Sequence, residues 1–241
     1  MSGHSKWSQI KRSKGASDVK RGILFSKLSK RISLAVKEGG GSGDPAANLK
    51  LRAAIDKAKE FSMPNDNIDR AIKKGLGEGG AAIEQVIYEG YGPFGTAFLI
   101  EAATDNKNRT VQSIKHTLSA HGGNLGGQGS VAWQFQTRGQ ILVERDAGQD
   151  LEKIELAAID AGAEDVREST EGLEIYTRPA DLENVKSKVL DAGGTIAQAE
   201  VIQESSQGVD LTEGQKPKVD ALFAELENNE DVIAVHTSAN L

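Results

Sequence analysis

A βαββαβ order can be read from residues 140–203, QILVERDAGQDLEKIELAAIDAGAEDVRESTEGLEIYTRPADLENVKSKVLDAGGTIAQAEVIQ. Four short runs in this stretch are typical of strands: 140–144, 164–168, 173–177 and 195–203. Two runs with apolar side chains at helical spacing separate them: 151–161 and 179–192. This order predicts a ferredoxin-like unit over residues 138–207.

The segments on both sides of this unit predict a second α/β domain, made of residues 78–137 together with 208–241. Before the unit, strands are expected at 86–88, 96–102 and 130–136, with a helix from Arg109 to about Ala120. After it, a link near Pro217 precedes a helix that runs to about Glu227, and a last strand is expected at 231–236. The ferredoxin-like unit would therefore be an insertion in the second domain.

Residues 1–77 predict a basic helical domain with an N-terminal arm. Ser17 can cap a first helix that runs to about Lys37, and Asp44-Pro45 is a start signal for a second helix. A short third helix ends near Gly75. The expected fold class is α+β multidomain: an N-terminal three-helix domain is followed by two α/β domains, one of them ferredoxin-like and inserted in the other.

Charge is divided sharply along the chain. Residues 1–75 contain 17 of the 29 Lys and Arg but only 7 of the 35 Asp and Glu, a net charge of +10. The other 166 residues contain 12 Lys and Arg and 28 Asp and Glu, a net charge of −16. A basic head on an acidic body favours a polyanionic partner, and nucleic acid is the expected one. The alternative is that these lysines only solvate a helical bundle.

The candidate nucleic-acid contacts lie mainly in the arm and the first helix. Trp7 could stack on an exposed base or could anchor the arm to the helices. The long Gly39–Gly43 loop does not fit a helix-turn-helix, so base-specific readout is not predicted. The candidate phosphate contacts are Lys6, Lys11, Arg12, Lys14, Lys20, Arg21, Lys27, Arg31, Lys73 and Lys74. The last two also suit the C-terminus of a helix electrostatically, which is an equal alternative for them.

Two other motifs have features of phosphate sites. Lys107 and Arg109 open a helix, whose N-terminus attracts anions, and they are candidates for a secondary phosphate contact. Asn106 or Asn108 is expected to cap that helix. The glycine-rich run 122–130, GGNLGGQGS, lacks the lysine of a P-loop and precedes a strand, so it is interpreted as a turn rather than a nucleotide site.

No motif predicts catalysis, a metal or a cofactor. The chain has no Cys, and its four histidines have none of the spacings typical of metal sites. No apolar run is long enough to cross a membrane, and the N-terminus is not a secretory signal. We therefore expect a cytoplasmic protein with no membrane partner. Two other classes stay open: an enzyme that uses a cleft between the α/β domains, and a protein-binding adaptor.

Several motifs together resemble the YebC/PmpR family. They occur in the family's order along nearly the whole chain: GHSKW (3–7), KRG (20–22), LRAAIDKA (51–58), MP (63–64), YEGYGP (88–93), DN (105–106), NRT (108–110), GGNLG (122–126), GSV (129–131) and AGAEDV (161–166). Two departures are a Phe94 where the family has glycine after Tyr-Gly-Pro, and Ser42-Gly43 inserted before Asp44-Pro45.

The resemblance implies three domains, a helical one and two α/β ones, in a cytoplasmic bacterial protein or a mitochondrial relative. Members are described as transcriptional regulators that bind DNA. Mitochondrial relatives are described as translational activators, and bacterial members have been linked to ribosomes and to synthesis of proline-rich stretches. None is established as an enzyme. DNA, and messenger or ribosomal RNA with the ribosome, therefore stay open as partners.

Overall fold

The computed structural model describes residues 18–78 and 81–241, with side chains from Arg21 onward. The described chain divides into two compact units. The head unit contains the described residues up to Ala132 together with Glu213–Val235. The ferredoxin-like unit contains Trp133–Thr212 and His236–Leu241.

The helices and strands are numbered here in chain order. The α-helices are α1 (Asp18–Glu38), α2 (Leu49–Glu60), α3 (Asn65–Gly75), α4 (Lys107–Ala120), α5 (Leu151–Asp160), α6 (Leu182–Asp191) and α7 (Lys216–Asn228). The strands are β1 (Glu84–Tyr91), β2 (Ala97–Thr104), β3 (Asn124–Leu125), β4 (Phe135–Glu144), β5 (Asp165–Glu168), β6 (Gly172–Thr177), β7 (Thr195–Ser205), β8 (Val209–Asp210), β9 (Val232–Thr237) and β10 (Ala239–Asn240).

Helices α1, α2 and α3 bury their apolar stripes in one core. Its members include Leu28, Ile32, Val36, Leu51, Ile55, Ala58, Ile68 and Ala71. Gly75 allows α1 and α3 to approach closely, because a Cβ there would lie 2.7 Å from the Val36 Cβ and 2.8 Å from the Ser33 carbonyl oxygen. The Ser33 hydroxyl donates to the Ala71 carbonyl at 2.7 Å, so the same contact also satisfies a buried polar group.

Helix α2 begins later than Asp44-Pro45 predicts. Its N-cap is Asn48, whose side-chain oxygen accepts from the Leu51 N–H at 3.0 Å. The Asn48 side-chain NH2 donates to the Ala35 carbonyl at 2.9 Å, which ties the start of α2 to α1. Asp44 caps a turn instead, accepting from the Ala46 N–H at 2.9 Å. The predicted start is wrong because this tertiary hydrogen bond outweighs a local signal.

The first sheet has four strands in the order β3-β1-β2-β9. Strands β1 and β2 are antiparallel and joined by a turn at Pro93–Gly95. Strand β9 comes from the C-terminal end of the chain, so the segment that carries β4 to β7 is inserted between strands of one sheet. Helices α4 and α7 contribute Ile114, Leu118, Leu222 and Phe223 to the buried residues of the protein.

The second sheet has the order β5-β6-β4-β7, with antiparallel pairing between all neighbours. The βαββαβ order places the first strand between the third and the fourth, as the ferredoxin-like prediction requires. Ile141, Val143 and Ile175 of this sheet are buried with Ile154 of α5 and Val185 of α6.

The fold class is therefore confirmed, α+β with N-terminal helices followed by α/β domains. One strand prediction is wrong. Residues 130–136 do not form a strand of their own, because a short 3-10 turn at Ala132–Gln134 leads into the ten-residue β4.

Candidate nucleic-acid interface

The arm lies outside the described residues. Five candidate contacts fall there: Lys6, Trp7, Lys11, Arg12 and Lys14. Lys20 belongs to α1, but its side chain is also outside the described set. The assignment of these six residues stays a prediction from sequence.

Two other predicted contacts on α1 are occupied by the protein itself. The Lys27 ammonium donates to the Glu227 carbonyl at the end of α7. The Arg31 guanidinium donates to the Ile233 carbonyl at 2.8 Å. These partners are carbonyl oxygens of the C-terminal segment, whereas the sequence predicted phosphates. Lys27 and Arg31 therefore dock α1 onto residues 227–233, because each satisfies a backbone acceptor about 200 positions away.

The chemistry of Lys27 fits this internal role. Burial lowers its pKa to about 8, although the nearby Glu227 carboxylate opposes that shift; Arg31 and Lys30 add to the lowering. Cations also suit the carbonyl end of a helix, where the backbone dipoles leave partial negative charge. Lys27 is thus a C-terminal cap for α7 supplied by another helix.

Asp231 is the charged centre of the same docking surface. Its carboxylate accepts from Lys30 at 2.5 Å, from Thr110 at 2.8 Å and from Arg109 at 3.0 Å. Burial alone would raise its pKa, but the hydrogen bonds from Lys30, Thr110 and Arg109 lower it below its usual value. The Lys30 ammonium also donates to the Glu230 carbonyl at 2.8 Å. One carboxylate therefore joins α1, α4 and the segment before β9.

The predicted secondary phosphate contacts have carboxylate partners. Lys107 pairs with Glu84 at 2.6 Å, and Arg109 pairs with both Asp105 and Asp231. The ion pair with Glu84 raises the pKa of Lys107, and the hydrogen bond to Asp231 raises that of Arg109. Carboxylates of the protein thus already neutralise both cations, and a phosphate contact by Lys107 and Arg109 stays a prediction from sequence. Capping by Asn106 is confirmed: its side-chain oxygen accepts from the Arg109 N–H at 3.0 Å.

Another set of cations faces solvent. Arg52 and Lys59 on α2 and Lys73 on α3 are exposed, and none of the three side chains makes a hydrogen bond or ion pair with another residue in the described ranges. Arg21 is exposed near the start of α1, but it is not without an interaction partner and is therefore not counted in this set. Lys74 lies 3.9 Å from Asp105.

Sequence reasoning missed Arg52 and Lys59. They lie seven positions apart, which places both on one side of α2, and this spacing could have identified them. It missed Asp231 as well, for which the local sequence gives no signal.

Helices α2 and α3 are joined by only residues 61–64, a spacing that occurs in helix-turn-helix motifs. The outer side of α3 nevertheless exposes two carboxylates, Asp66 and Asp69. The Arg70 guanidinium donates to the Asp66 carbonyl at 3.1 Å and to the Asn67 side chain. These carboxylates share the outer side of α3 with the cations Arg70 and Lys73, and such a nearly neutral side is not typical of a recognition helix.

The glycine-rich loop is built around a carboxylate of the protein. Glu89 on β1 is 6% exposed and accepts from the N–H groups of Gly129, Val131 and Ala132 at 2.6, 2.7 and 2.8 Å. Burial would raise the pKa of Glu89, but these three bonds lower it. The amides that could cradle a phosphate already hold an anion, which favours the turn interpretation over the nucleotide site.

The described part of the chain contains neither a group of residues arranged to bind a metal ion nor a helix that could span a membrane. No group of three or more His, Asp or Glu residues there is arranged to hold a metal ion. His121 pairs with Glu225 at 2.8 Å, next to Thr117. Within residues 18–78 and 81–241, no helix has the length and apolar content needed to cross a bilayer.

Two family profiles match the chain. Residues 5–78 match the profile described as the TACO1/YebC protein N-terminal domain, and residues 83–239 match the TACO1/YebC second and third domain. The chain belongs to the TACO1/YebC family. The resemblance found from the sequence motifs is thereby confirmed.

Relatives in this family cover the chain from end to end. A probable transcriptional regulatory protein of Thermoanaerobacter pseudethanolicus is 49% identical over 242 residues, 100% of this chain and 98% of the relative. One from Moorella thermoacetica is also 49% identical, over 100% of this chain and 96% of its own length. The crystal structure of a conserved hypothetical protein, Aq1575 from Aquifex aeolicus, superposes with a TM-score of 0.81 at 41% identity, covering 92% of this chain and 91% of that one.

Proposed function

We propose that this TACO1/YebC protein is a non-enzymatic, cytoplasmic regulator of gene expression that binds nucleic acid, with DNA as the first candidate, through its basic N-terminal domain. The names of its relatives, probable transcriptional regulatory proteins, support a regulatory role. The observation that carries the proposal is the exposed set formed by Arg52, Lys59 and Lys73, whose side chains have no ion-pair partner among the residues that the structure describes. We call these three side chains the outward cations.

The outward cations support phosphate binding for an energetic reason. A cation that has only water and small ions as neighbours can move to a phosphate without losing a protein contact, and the released counterions drive binding. Lys27 and Arg31 would first have to leave backbone carbonyls, so we do not include them in the interface. Arg21, Lys20, Lys74 and the arm cations remain candidates of the same domain.

The proposal is tested by the salt dependence of binding. Fluorescence anisotropy with a labelled DNA duplex would be measured over a range of KCl concentrations for the wild type and for the triple variant R52A/K59A/K73A. Each lost contact flattens the slope of log K against log salt by about 0.9, so a decrease of about 2 to 3 is expected.

The matched control removes the same charge from the ferredoxin-like unit, as K153A/K186A/K188A. Lys153 and Lys188 are exposed, and Lys186 and Lys188 have only exposed ion pairs at 3.4 Å. We expect the control to keep the wild-type slope. Equal slopes for wild type and R52A/K59A/K73A would show that the outward cations do not touch phosphate.

The arm requires its own variant, K6A/K11A/R12A/K14A. If the arm holds phosphates, this variant flattens the slope of log K against log salt. Its effect should add to that of R52A/K59A/K73A. Replacement of Trp7 by Leu separates the two roles considered for it: loss of affinity for unpaired bases alone supports stacking, and loss of thermal stability alone supports anchoring.

A translational role is the second candidate, and the surface of α3 favours it. With Asp66 and Asp69 exposed on α3, base readout in a groove has little support. Ribosomal RNA, in contrast, can be recognised largely by its shape and through phosphate contacts. Sedimentation of a cell lysate through a sucrose gradient separates the two functions. Comigration with ribosomal particles supports translation, and its absence supports DNA.

The domain boundaries are part of the proposal: 1–77 for the basic helical domain, 78–137 with 208–241 for one α/β domain, and 138–207 for the inserted one. The N-terminal family profile ends at residue 78 and the next one begins at residue 83, which supports the first boundary. The order of strands in the two sheets supports the insertion.

A further inference from the structure

An exposed aromatic ring lies at the tip of the turn between β1 and β2. Phe94 has φ 63° and ψ 23°, in the left-handed region, and is 43% exposed. The turn does not need this ring for its shape. The Thr96 hydroxyl donates to the Pro93 carbonyl at 2.9 Å, and Gly95 follows with φ 76°. A bulky L-residue rarely adopts such a backbone, whereas glycine adopts it freely, so Phe94 carries a local conformational cost.

The ammonium group of one lysine lies over this ring. The Lys218 ammonium is 5.9 Å from the centroid of the Phe94 ring, and Lys216 precedes it in the first turn of α7. That turn contains no acidic residue, although the partial positive charge of a helix start disfavours lysine there. Lys218 is exposed, while Lys216 pairs with Glu213 at 3.1 Å.

Both residue choices oppose local stability. A phenylalanine at positive φ and lysines at a helix start each cost free energy, and neither is compensated by deep burial of the side chain. Such conflicts between local preference and adopted structure concentrate at functional sites. They also occur within the acidic part of the sequence, where 12 Lys and Arg stand against 28 Asp and Glu.

We infer that Phe94 and Lys218 form a second nucleic-acid site, separate from the outward cations, that binds a single-stranded segment. The Phe94 ring stacks on an unpaired base, and the Lys218 ammonium neutralises a phosphate next to that base. Aromatic stacking with adjacent cations is the general basis of single-strand binding, and it tolerates any base because every base has a π-face. The inference shares with the proposed function only the chemical class of the ligand.

The site predicts that binding depends on bases and not only on phosphates. The test uses two fluorescein-labelled single strands of about 12 nucleotides, oligo-dT and an abasic strand with the same backbone. The variants are F94L, which keeps an apolar side chain but removes the ring, and F94W, which keeps an aromatic one. L156A, a truncation at an apolar residue that is 57% exposed in the ferredoxin-like unit, is the control.

We expect F94L to weaken binding of oligo-dT about 5- to 150-fold and to leave binding of the abasic strand unchanged, while F94W and L156A bind both strands as the wild type does. K218A is expected to weaken both strands and to flatten the salt slope by about 0.7. The inference is overturned if F94L binds oligo-dT like the wild type, as it would if the ring served a protein partner. It is also overturned if F94L weakens both strands equally, since the ring would then only shape the turn.

The outcome is distinguishable from failure of the proposed function. Oligo-dT and abasic binding would be compared again in the R52A/K59A/K73A background. A preference for bases that persists there and disappears with F94L supports the second site, whatever the outward cations do. A preference that depends on the outward cations and not on Phe94 rules the second site out.

Discussion

Helix α1 and the pair α2 and α3 carry similar numbers of cations, six on the first and seven on the other two, but the partners of those cations differ. On α1, Lys27, Lys30 and Arg31 contact residues 227–233 of the same chain. On α2 and α3, the outward cations have no protein partner in the described ranges. Three cations of α1 thus serve docking, whereas three of the seven on α2 and α3 stay available to solvent.

The net charge of a segment and the partners of its individual cations are therefore separate kinds of information. A basic segment identifies a surface that could attract a polyanion, but each cation contributes only if its charge is not already used. Backbone carbonyl oxygens can bind a cation as carboxylates do. They carry no formal charge, so a count of charged residues along the chain does not include them. The comparison between the docked and the outward cations therefore decides which residues to test for binding and which for stability.

The largest effect is expected at the centre of the docked set. Asp231 is 9% exposed at its side chain and Lys30 15%, so D231A leaves Lys30 partly buried without a carboxylate. Loss of one partner of a buried ion pair costs about 3 to 5 kcal/mol in the free energy of unfolding. Urea denaturation followed by circular dichroism would measure it.

The control for Asp231 is an exposed ion pair of the same head unit. Lys50 and Glu38 pair at 2.6 Å with side chains 64% and 39% exposed, and K50A should cost less than about 1 kcal/mol because water replaces the lost contact. Equal effects of D231A and K50A would contradict the division into docked and outward charges.

A second large effect is expected at Glu89, which uses three backbone N–H groups. E89Q replaces an acceptor-only carboxylate with an amide whose NH2 faces donors, and we expect a loss of about 2 kcal/mol at pH 7. Because the pKa of Glu89 is lowered on folding, its contribution is complete above the unfolded pKa of about 4.3 and is lost as pH falls through the folded value. Thermal denaturation between pH 3 and pH 7 should therefore show a flatter acid limb for E89Q than for the wild type.

The fold was predictable because periodicity reports on neighbours in sequence. The stripe of Leu28, Ile32 and Val36 requires a helix with one buried side, and the alternation of short strands with two helices requires a split βαβ unit. Family motifs spread over the chain added the identity of the domains. None of these signals depends on contacts between distant segments.

The site was less predictable, because its contacts join distant segments. Lys27 and Arg31 border the apolar stripe of α1, which indicated that they lie at the edge of a buried surface but not what covers it. Their acceptors are backbone carbonyls near residue 230, and a carbonyl carries no signature in the sequence. The predicted start of α2 was wrong for the same reason, because the N-cap Asn48 is held by a hydrogen bond to the Ala35 carbonyl on another helix.

Lys27 provides a pH test of docking. Its pKa is about 8 in the folded protein and about 10.4 in the unfolded chain, so between these values the unfolded chain binds more protons. Stability due to this group should therefore rise with pH across that window, with a slope of at most about 1.4 kcal/mol per pH unit. Urea denaturation of the wild type and K27M at several pH values isolates this slope, because K27M lacks it. Parallel curves would show that Lys27 is not desolvated by docking.

The smallest effect on stability is expected for the outward cations themselves. Exposed side chains without a hydrogen bond or ion pair contribute little to the stability of the folded state, and removal of three like charges from a basic domain also relieves some repulsion. R52A/K59A/K73A should therefore change the melting temperature by no more than about 2 °C, measured by differential scanning calorimetry. A drop of the size expected for D231A would mean that these cations have structural partners, and a loss of nucleic-acid binding in the variant would then report unfolding. A variant that melts like the wild type and binds with a flatter salt slope separates the outward charges from the docked ones.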